Sequence, residues 1–342
     1  MPRYIGFDLA ADQPDATRVA VLLVNLGTPE APNADAVRDY LAEFLSDPRV
    51  VGLPRWAWWP VLHGYILRTR PKHSADAYAR IWRNDGSPLL VFSQRLTAAV
   101  SRAIAVRTSA RVEVALAMTY GAPSVRDVLT KLMAKGVRRV LALPLFPQYS
   151  ATSSGAALDA VLRSLQELRW MPALRTVSDY HDDHGYIAAL AASVQRYWAE
   201  HGRGEKLLLS FHGIPESYAA AGDPYPEQCR ETAARVAAAL GLADDDLTVA
   251  FQSRLGRKPW LRPYTDTAIE QLARQDVTRL DVLCPGFAVD CLETLEEVAL
   301  RYRATFLTSG GSEFHYIPAL NDSPDHATVL ADMAVRELAG WI

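Results

Sequence analysis

The sequence predicts an α/β protein of two halves, each a parallel sheet flanked by helices, with an active-site cleft between them. Three observations carry that prediction. Short runs rich in Val, Leu and Ala recur along the chain, segments of helical period lie between them, and turn-forming or reactive residues follow the runs directly. A strand covered on both faces has no solvent side, so its sequence is continuously apolar, which marks a parallel sheet.

The apolar runs occupy residues 19–24, 112–118, 137–145, 206–211, 247–251 and 280–284. The first predicted helix spans residues 34–45, where Val37, Tyr40, Leu41, Phe44 and Leu45 share one face and Asn33 stands where a cap is needed. Further helical segments are expected at 125–135, 155–168, 186–201, 226–240 and 267–274. Two sets of alternating elements result, a first half over 19–177 and a second over 178–342, preceded by a loosely held leader at 1–18. Neither a residue-level repeat nor a low-complexity tract links them.

The chain has 342 residues, 49% hydrophobic and 22% charged, an ordinary balance for a folded protein with a sizeable core. A net charge of −3 gives no general reason to expect nucleic-acid binding. Cys229, Cys284 and Cys291 are odd in number and form no CxxC pair, so neither a disulfide framework nor a structural zinc site is expected. The leader lacks the apolar core of a signal peptide, and charges or prolines interrupt every apolar run before the roughly 20 residues a spanning helix needs. A cytoplasmic protein is expected.

In open parallel sheets, ligands bind beyond the carboxyl ends of the strands. Five strand exits carry unusual residues: NLGTP from Asn25, TYGAP from Thr119, PLFPQYS from Pro144, SFHGIP from Ser210 and PGFAVDCLETLEE from Pro285. Their glycines and prolines serve turn chemistry as readily as function. No GxGxxG, GxxxxGKS or GxSxG motif accompanies them, which argues against a dinucleotide enzyme, a P-loop protein and a typical hydrolase. His212 should lie at its strand's exit, where a neutral imidazole is a base or a ligand; a lone histidine is also often structural. Asp290, Glu293 and Glu297 fall at i, i+3 and i+7, so a helix starting after Phe287 would align them as one carboxylate stripe. Such a stripe can bind a hydrated divalent metal or relay protons, or merely complement a helix dipole. Residues 53–67 hold Trp56, Trp58, Trp59 and Tyr65, followed by Arg68, Arg70 and Lys72. Aromatics beside cations suit a membrane interface or the lip of a pocket for a flat ligand, with an ordinary core helix as the alternative.

NLGTP, FLSDPRVV from Phe44, GSPL from Gly86, LPLFPQYS from Leu143, SFHGIP, FQSRLGRKPWLRPYTD from Phe251 and CLETLEE from Cys291 all resemble segments of ferrochelatases, in the family's order. The resemblance runs from about residue 20 to about residue 323. It implies a chelatase-like pair of Rossmann-like halves around a porphyrin. On it His212 matches the family's active-site histidine, Glu293 the glutamate facing it, and Glu297 the next acidic residue of the path leading away. His212 and Glu293 would meet the metal, and Leu26, Tyr120, Gln148, Tyr149, Trp260 and Phe287 would contact porphyrin. Two positions depart from many members: Cys291 replaces a histidine, which weighs against a second histidine at the metal, and Thr119 replaces an arginine.

The implied reaction inserts ferrous iron into a porphyrin, protoporphyrin IX or alternatively coproporphyrin III, and releases two protons. Neutral His212 would accept pyrrole protons, with Glu293 and Glu297 guiding either protons out or hydrated metal in. Iron is then a substrate, no cofactor is permanently bound, and no [2Fe–2S] cluster is expected because no cysteine follows Cys291. Peripheral membrane association through the Trp-rich lip and handover of porphyrin or haem with neighbouring pathway proteins are expected. The alternatives are a cobalt or nickel tetrapyrrole chelatase and a non-catalytic porphyrin or haem carrier on the same fold.

Overall fold

A computed structural model describes residues 4–6, 18–254, 256 and 258–342. They form two compact units. Most of the expected leader lies outside the described residues; within it, Ile5 pairs with Glu167 and Arg169 through backbone hydrogen bonds of 2.8 Å each.

The first unit comprises residues up to Leu145, Ala151–Asp179 and Asp322–Ile342. Its strands β1 (Arg18–Gly27), β2 (Val112–Tyr120), β3 (Val137–Pro144) and β4 (Ala173–Thr176) are parallel and lie in the order β2-β1-β3-β4. The helices around them are α1 (Ala34–Leu45), α2 (Arg55–Val61), α3 (Leu67–Ile81), α4 (Pro88–Arg107), α5 (Val125–Ala134) and α6 (Ala156–Gln166). As β1 is central, Ala20 through Val24 are wholly buried, which is why its sequence is apolar without alternation. Asn33 caps α1 by accepting from the Asp35 and Ala36 amides. At the end of β1, Gly27 has φ +115° and pairs with Tyr120; a Cβ there would lie 1.8 Å from the Tyr120 carbonyl oxygen.

The second unit comprises Phe146–Ser150 and Tyr180–Asn321. Its strands β5 (Lys206–His212), β6 (Leu247–Gln252), β7 (Arg279–Leu283) and β8 (Glu313–Ile317) are again parallel, in the order β6-β5-β7-β8. Helices α7 (His184–His201), α8 (Glu216–Ala220), α9 (Tyr225–Leu240), α10 (Thr265–Arg274) and α11 (Arg303–Thr308) accompany them, with a π-helical segment at Glu293–Tyr302. Leu208, Ala250, Leu280 and Val282 from the sheet pack with Ile269, Val298 and Phe306. Both units thus share one strand order, a repeat of topology without a repeat of sequence.

The chain end departs from the expected division. Residues 322–342 belong to the first unit, because α12 (Pro324–Glu337) packs on α4 with Leu330, Ala331 and Ala334 wholly buried. Arg139 donates to the Trp341 carbonyl at 3.0 Å, and the Arg175 guanidinium stacks 4.2 Å from the Trp341 ring. Among the described residues α4 is the one helix whose length and composition would suffice to cross a membrane. Here its Leu96 and Val100 are wholly buried, and it contacts β1, β2 and α12.

Two expectations follow from this packing. Gly27→Ala should lower stability by about 3 kcal/mol through strain and overpacking, read as a fall in the denaturation midpoint. Cys229, Cys284 and Cys291 are free and buried, and burial above all pushes each thiol well above its ordinary range. Their folded values lie above the unfolded value of about 8.5, so this contribution is complete below about pH 8.5 and is lost as pH rises beyond it. A thiol reagent at about pH 8 should therefore label the native protein only after denaturant is added, and the denaturation midpoint should fall between about pH 8 and pH 10, less so in Cys229→Ala.

Candidate active site

In the second unit the chain leaves β5 toward β6 on one side and β7 lies on the other, so the carboxyl ends of β5 and β7 flank a topological switch point. His212 is the last residue of β5 and is half-buried. Its Nδ1 lies 2.7 Å from the Gly213 carbonyl oxygen. A carbonyl can only accept, so Nδ1 carries the proton and, in the neutral ring, Nε2 keeps its lone pair. The Gly213 amide donates to the Gln252 carbonyl at 2.8 Å. A Cβ on Gly213 would come within 2.9 Å of that carbonyl and 3.2 Å of the Trp260 ring, so glycine is needed here for close approach. Trp260 is set by a bridge to Pro215, and the Phe287 ring centre lies 6.5 Å from that of His212.

Beyond β7 the expected carboxylate stripe does not form. Asp290 precedes the helix and is buried, with Oδ1 accepting from Thr294 at 2.9 Å and Tyr316 at 2.5 Å, and Oδ2 accepting from Asn321 at 2.7 Å. It braces the turn from within. The helix that follows is π-helical over Glu293–Tyr302, which brings residues five apart into register. Tyr302 accordingly donates to Glu297 Oε1 at 2.7 Å.

Glu293 and Glu297 differ in their surroundings. Glu297 is buried, and besides Tyr302 it accepts from the Ser253 amide at 3.1 Å on Oε1 and from the Ser253 hydroxyl at 2.5 Å on Oε2, with Arg301 at 3.4 Å. Burial first and Glu297 second push the Tyr302 hydroxyl far up, so it remains a donor. Glu293 is half-buried, and its backbone carbonyl accepts from Gln252 Nε2 at 2.9 Å. Burial first and the charge of Glu293 next push the buried Cys291 thiol well up. Cys291 therefore stays a neutral thiol.

The expected porphyrin contacts divide. Trp260, Phe287 and Tyr149 are half-buried in the second unit, and Leu26 is half-buried near the end of β1 in the first. Gln148 is 1% exposed and donates to Thr232 at 3.0 Å, so it is a framework residue. Tyr120 is 3% exposed and donates to Asp47 at 3.1 Å, likewise part of the frame. Thr119 is spent on the Asn25 carbonyl at 3.0 Å, which explains a small hydroxyl at that position.

The aromatic lip belongs to the first unit and is not a core helix: α2 buries no residue, and Trp56, Trp59 and Tyr65 are 82%, 44% and 65% exposed. Trp58 differs, donating from Nε1 to the Leu45 carbonyl at 2.7 Å and packing on Leu45, Leu62 and Leu67. It anchors what the others expose. Gln252 and Ser253, which hold Glu293 and Glu297, were not singled out by the sequence reading; the strand-exit rule applied to β6 points to both.

Comparison with known proteins agrees with these motifs. The ferrochelatase family model matches residues 18–338. A ferrochelatase of Thioalkalivibrio sulfidiphilus is 52% identical, covering 94% of this chain and 88% of its own. One of Neisseria gonorrhoeae is 52% identical over 95% of each, and one of Bordetella pertussis 50% identical over 95% of this chain and 89% of its own. Among solved structures, SirB from Bacillus subtilis with Fe3+ superposes with a TM-score of 0.57 at 10% identity, covering 94% of this chain and 96% of its own. CbiX, described as the terminal enzyme of sirohaem biosynthesis in denitrifying bacteria, gives 0.51 at 16% identity over 93% and 98%. Both show the fold alone. On the family match and the length and identity of these relatives, the chain belongs to the ferrochelatase family.

Proposed function

We propose that the chain inserts ferrous iron into a porphyrin, protoporphyrin IX, to make haem. The observation that carries this reading is the fixed tautomer of His212, which leaves a proton acceptor at the switch point, while Gln252 opposite it on β6 holds the Glu293 carbonyl. Metallation exchanges two pyrrole N–H protons for one Fe2+, so each turnover must remove two protons from the ring. His212 Nε2 takes a pyrrole proton, and Glu293 faces the metal and passes protons on. For Glu297 the surroundings favour the proton route over metal delivery: both oxygens are occupied by donors, and Arg301 beside it repels a dication. Iron is substrate, so its site with His212 and Glu293 is transient, unlike a closed structural site. No permanent cofactor or iron–sulfur cluster is assigned. The relatives' shared name supports iron over cobalt or nickel, and an enzyme over a carrier.

We further propose a cytoplasmic protein that binds membranes peripherally and exchanges porphyrin or haem with its pathway neighbours. Trp56 and Trp59 with Arg55, whose guanidinium lies 5.5 Å over the Trp59 ring, line a shallow apolar surface. Aromatics of this kind enter the headgroup layer while cations meet anionic lipid.

His212→Ala should reduce iron insertion by about 10²–10⁴-fold while porphyrin still binds. Iron, cobalt and nickel assays with protoporphyrin IX and coproporphyrin III check the metal and the ring together; near-normal turnover of the folded variant would overturn the mechanism. Replacing Trp56 and Trp59 by Ser should weaken flotation with anionic vesicles and raise the porphyrin KM, with the iron KM and the melting temperature nearly unchanged, because these rings are exposed. Undiminished flotation would remove the lip from the proposal.

A further inference from the structure

One buried residue links the strand that carries His212 to the segment that carries Glu293. Gln252 ends β6, is 2% exposed, and lies directly across the parallel ladder from His212. Its carbonyl accepts from the Gly213 amide at 2.8 Å, and the Gly213 carbonyl in turn holds His212 Nδ1 at 2.7 Å. Its side chain faces other partners. Oε1 accepts from the Ser210 hydroxyl at 2.6 Å and from the Cys284 thiol at 3.6 Å, while Nε2 donates to the Glu293 carbonyl at 2.9 Å. Ser210 is in contact with the Thr265 hydroxyl at 2.9 Å, and both are wholly buried.

These bonds have one consistent direction. Ser210 must donate to the Gln252 carbonyl oxygen, so Thr265 donates to Ser210, and the Gln252 amide passes the chain on to Glu293. Successive bonds of this kind polarise one another, and each buried member is costly to leave unpaired. The Glu293 carbonyl lies in the first turn of the π-helical segment, so the bond from Gln252 fixes where that segment begins relative to β5. The next residue adds a second hold: Ser253, at φ +65°, grips both oxygens of Glu297. A non-glycine residue in that region is sparsely populated and persists where its surroundings impose it.

We infer that Gln252 is a positioning residue for metal insertion: it couples the orientation of His212 on β5 to that of Glu293 on the π-helical segment, with Ser253 extending the hold to Glu297. This inference rests on the proposed roles of His212 and Glu293. A buried amide is needed because only it offers an acceptor to Ser210 and a donor to Glu293 at once. Leucine has similar bulk and offers neither.

The test is a double-mutant cycle on Gln252→Leu and Glu293→Gln, reading kcat for iron insertion, KM for protoporphyrin IX and melting temperature. Gln252→Leu alone should lower kcat by about 10–100-fold with the porphyrin KM within about threefold, since displacement of a catalytic group by about 1 Å has effects of that size. In the Glu293→Gln background the same substitution should lower kcat by less than about threefold, because residues acting as a unit lose most of their effect at the first removal. Equal losses in both backgrounds, a change confined to KM, or unchanged kcat would overturn the inference. If Gln252→Leu does not fold, Ser210→Ala cuts the same chain one bond earlier and is judged by the same criteria. Wild-type turnover in Glu293→Gln alone would instead reject the role of Glu293, an outcome distinct from any result at Gln252.

Discussion

His212 has a defined position because β5 is laddered on both edges. Its partner β6 runs in register to the end of the strand, Phe211 against Phe251 and His212 against Gln252, and β7 pairs with Lys206 through Leu209 on the other side. Parallel strands so placed bury both faces, leaving a reactive side chain room only where the strand stops. At that point Gly213 turns the chain and ties the imidazole by its own carbonyl. The tautomer and the position of the free ring nitrogen follow from one ladder and one turn.

The second constraint is the treatment of buried carboxylates. A carboxylate removed from water is tolerated when donors replace its hydration, and Asp290 and Glu297 each receive several. Asp290 is enclosed by Thr294, Tyr316 and Asn321, and so serves the turn. Glu297 is enclosed as well, but its donors come from the end of β6 and from the π-helical segment itself. Glu293, half-buried, has a side chain less committed to the frame. Of Asp290, Glu293 and Glu297, Glu293 is the least enclosed by internal donors, which leaves its carboxylate the freest for the proposed role.

The sequence made six of the eight strands legible, the edges β2 and β6 included, and hid the edges β4 and β8. Runs at β1, β3, β5 and β7 read as buried strands because they are apolar over most of their length. The edge strand β4 is four residues long with no buried residue, and β8 alternates His315 with apolar neighbours, so neither carries that signal. The carboxylate spacing misled because it assumed 3.6 residues per turn from Phe287 on, whereas the helix starts later and is π-helical. The return of α12 to the first unit was equally out of reach: its alanine-rich face is suited to close packing on many helices, and only tertiary contact with α4 chooses one. His212 and Glu293 drew attention through their strand exits and the family motifs, while the buried amide of Gln252, which bonds to the Glu293 carbonyl opposite His212, had no periodicity to announce it.

The two units place the same strand order under different chemical demands. At the exits of the first, polar side chains are consumed internally: Asn25 donates to Ser93 at 3.0 Å, Thr119 to the Asn25 carbonyl, Tyr120 to Asp47, and Gly27 exists to let β1 and β2 close up. At the corresponding exits of the second, the internal bonds stop short of the functional atoms. The Gln252 side chain satisfies Ser210 and the Glu293 backbone, and the Gly213 carbonyl takes only one nitrogen of His212. What remains is an imidazole lone pair at a switch point, held by neighbours that use none of it. The repeated topology therefore differs in hydrogen-bond satisfaction: Asn25, Thr119 and Tyr120 are spent on internal partners, whereas His212 keeps the free acceptor that the proposed proton transfer uses.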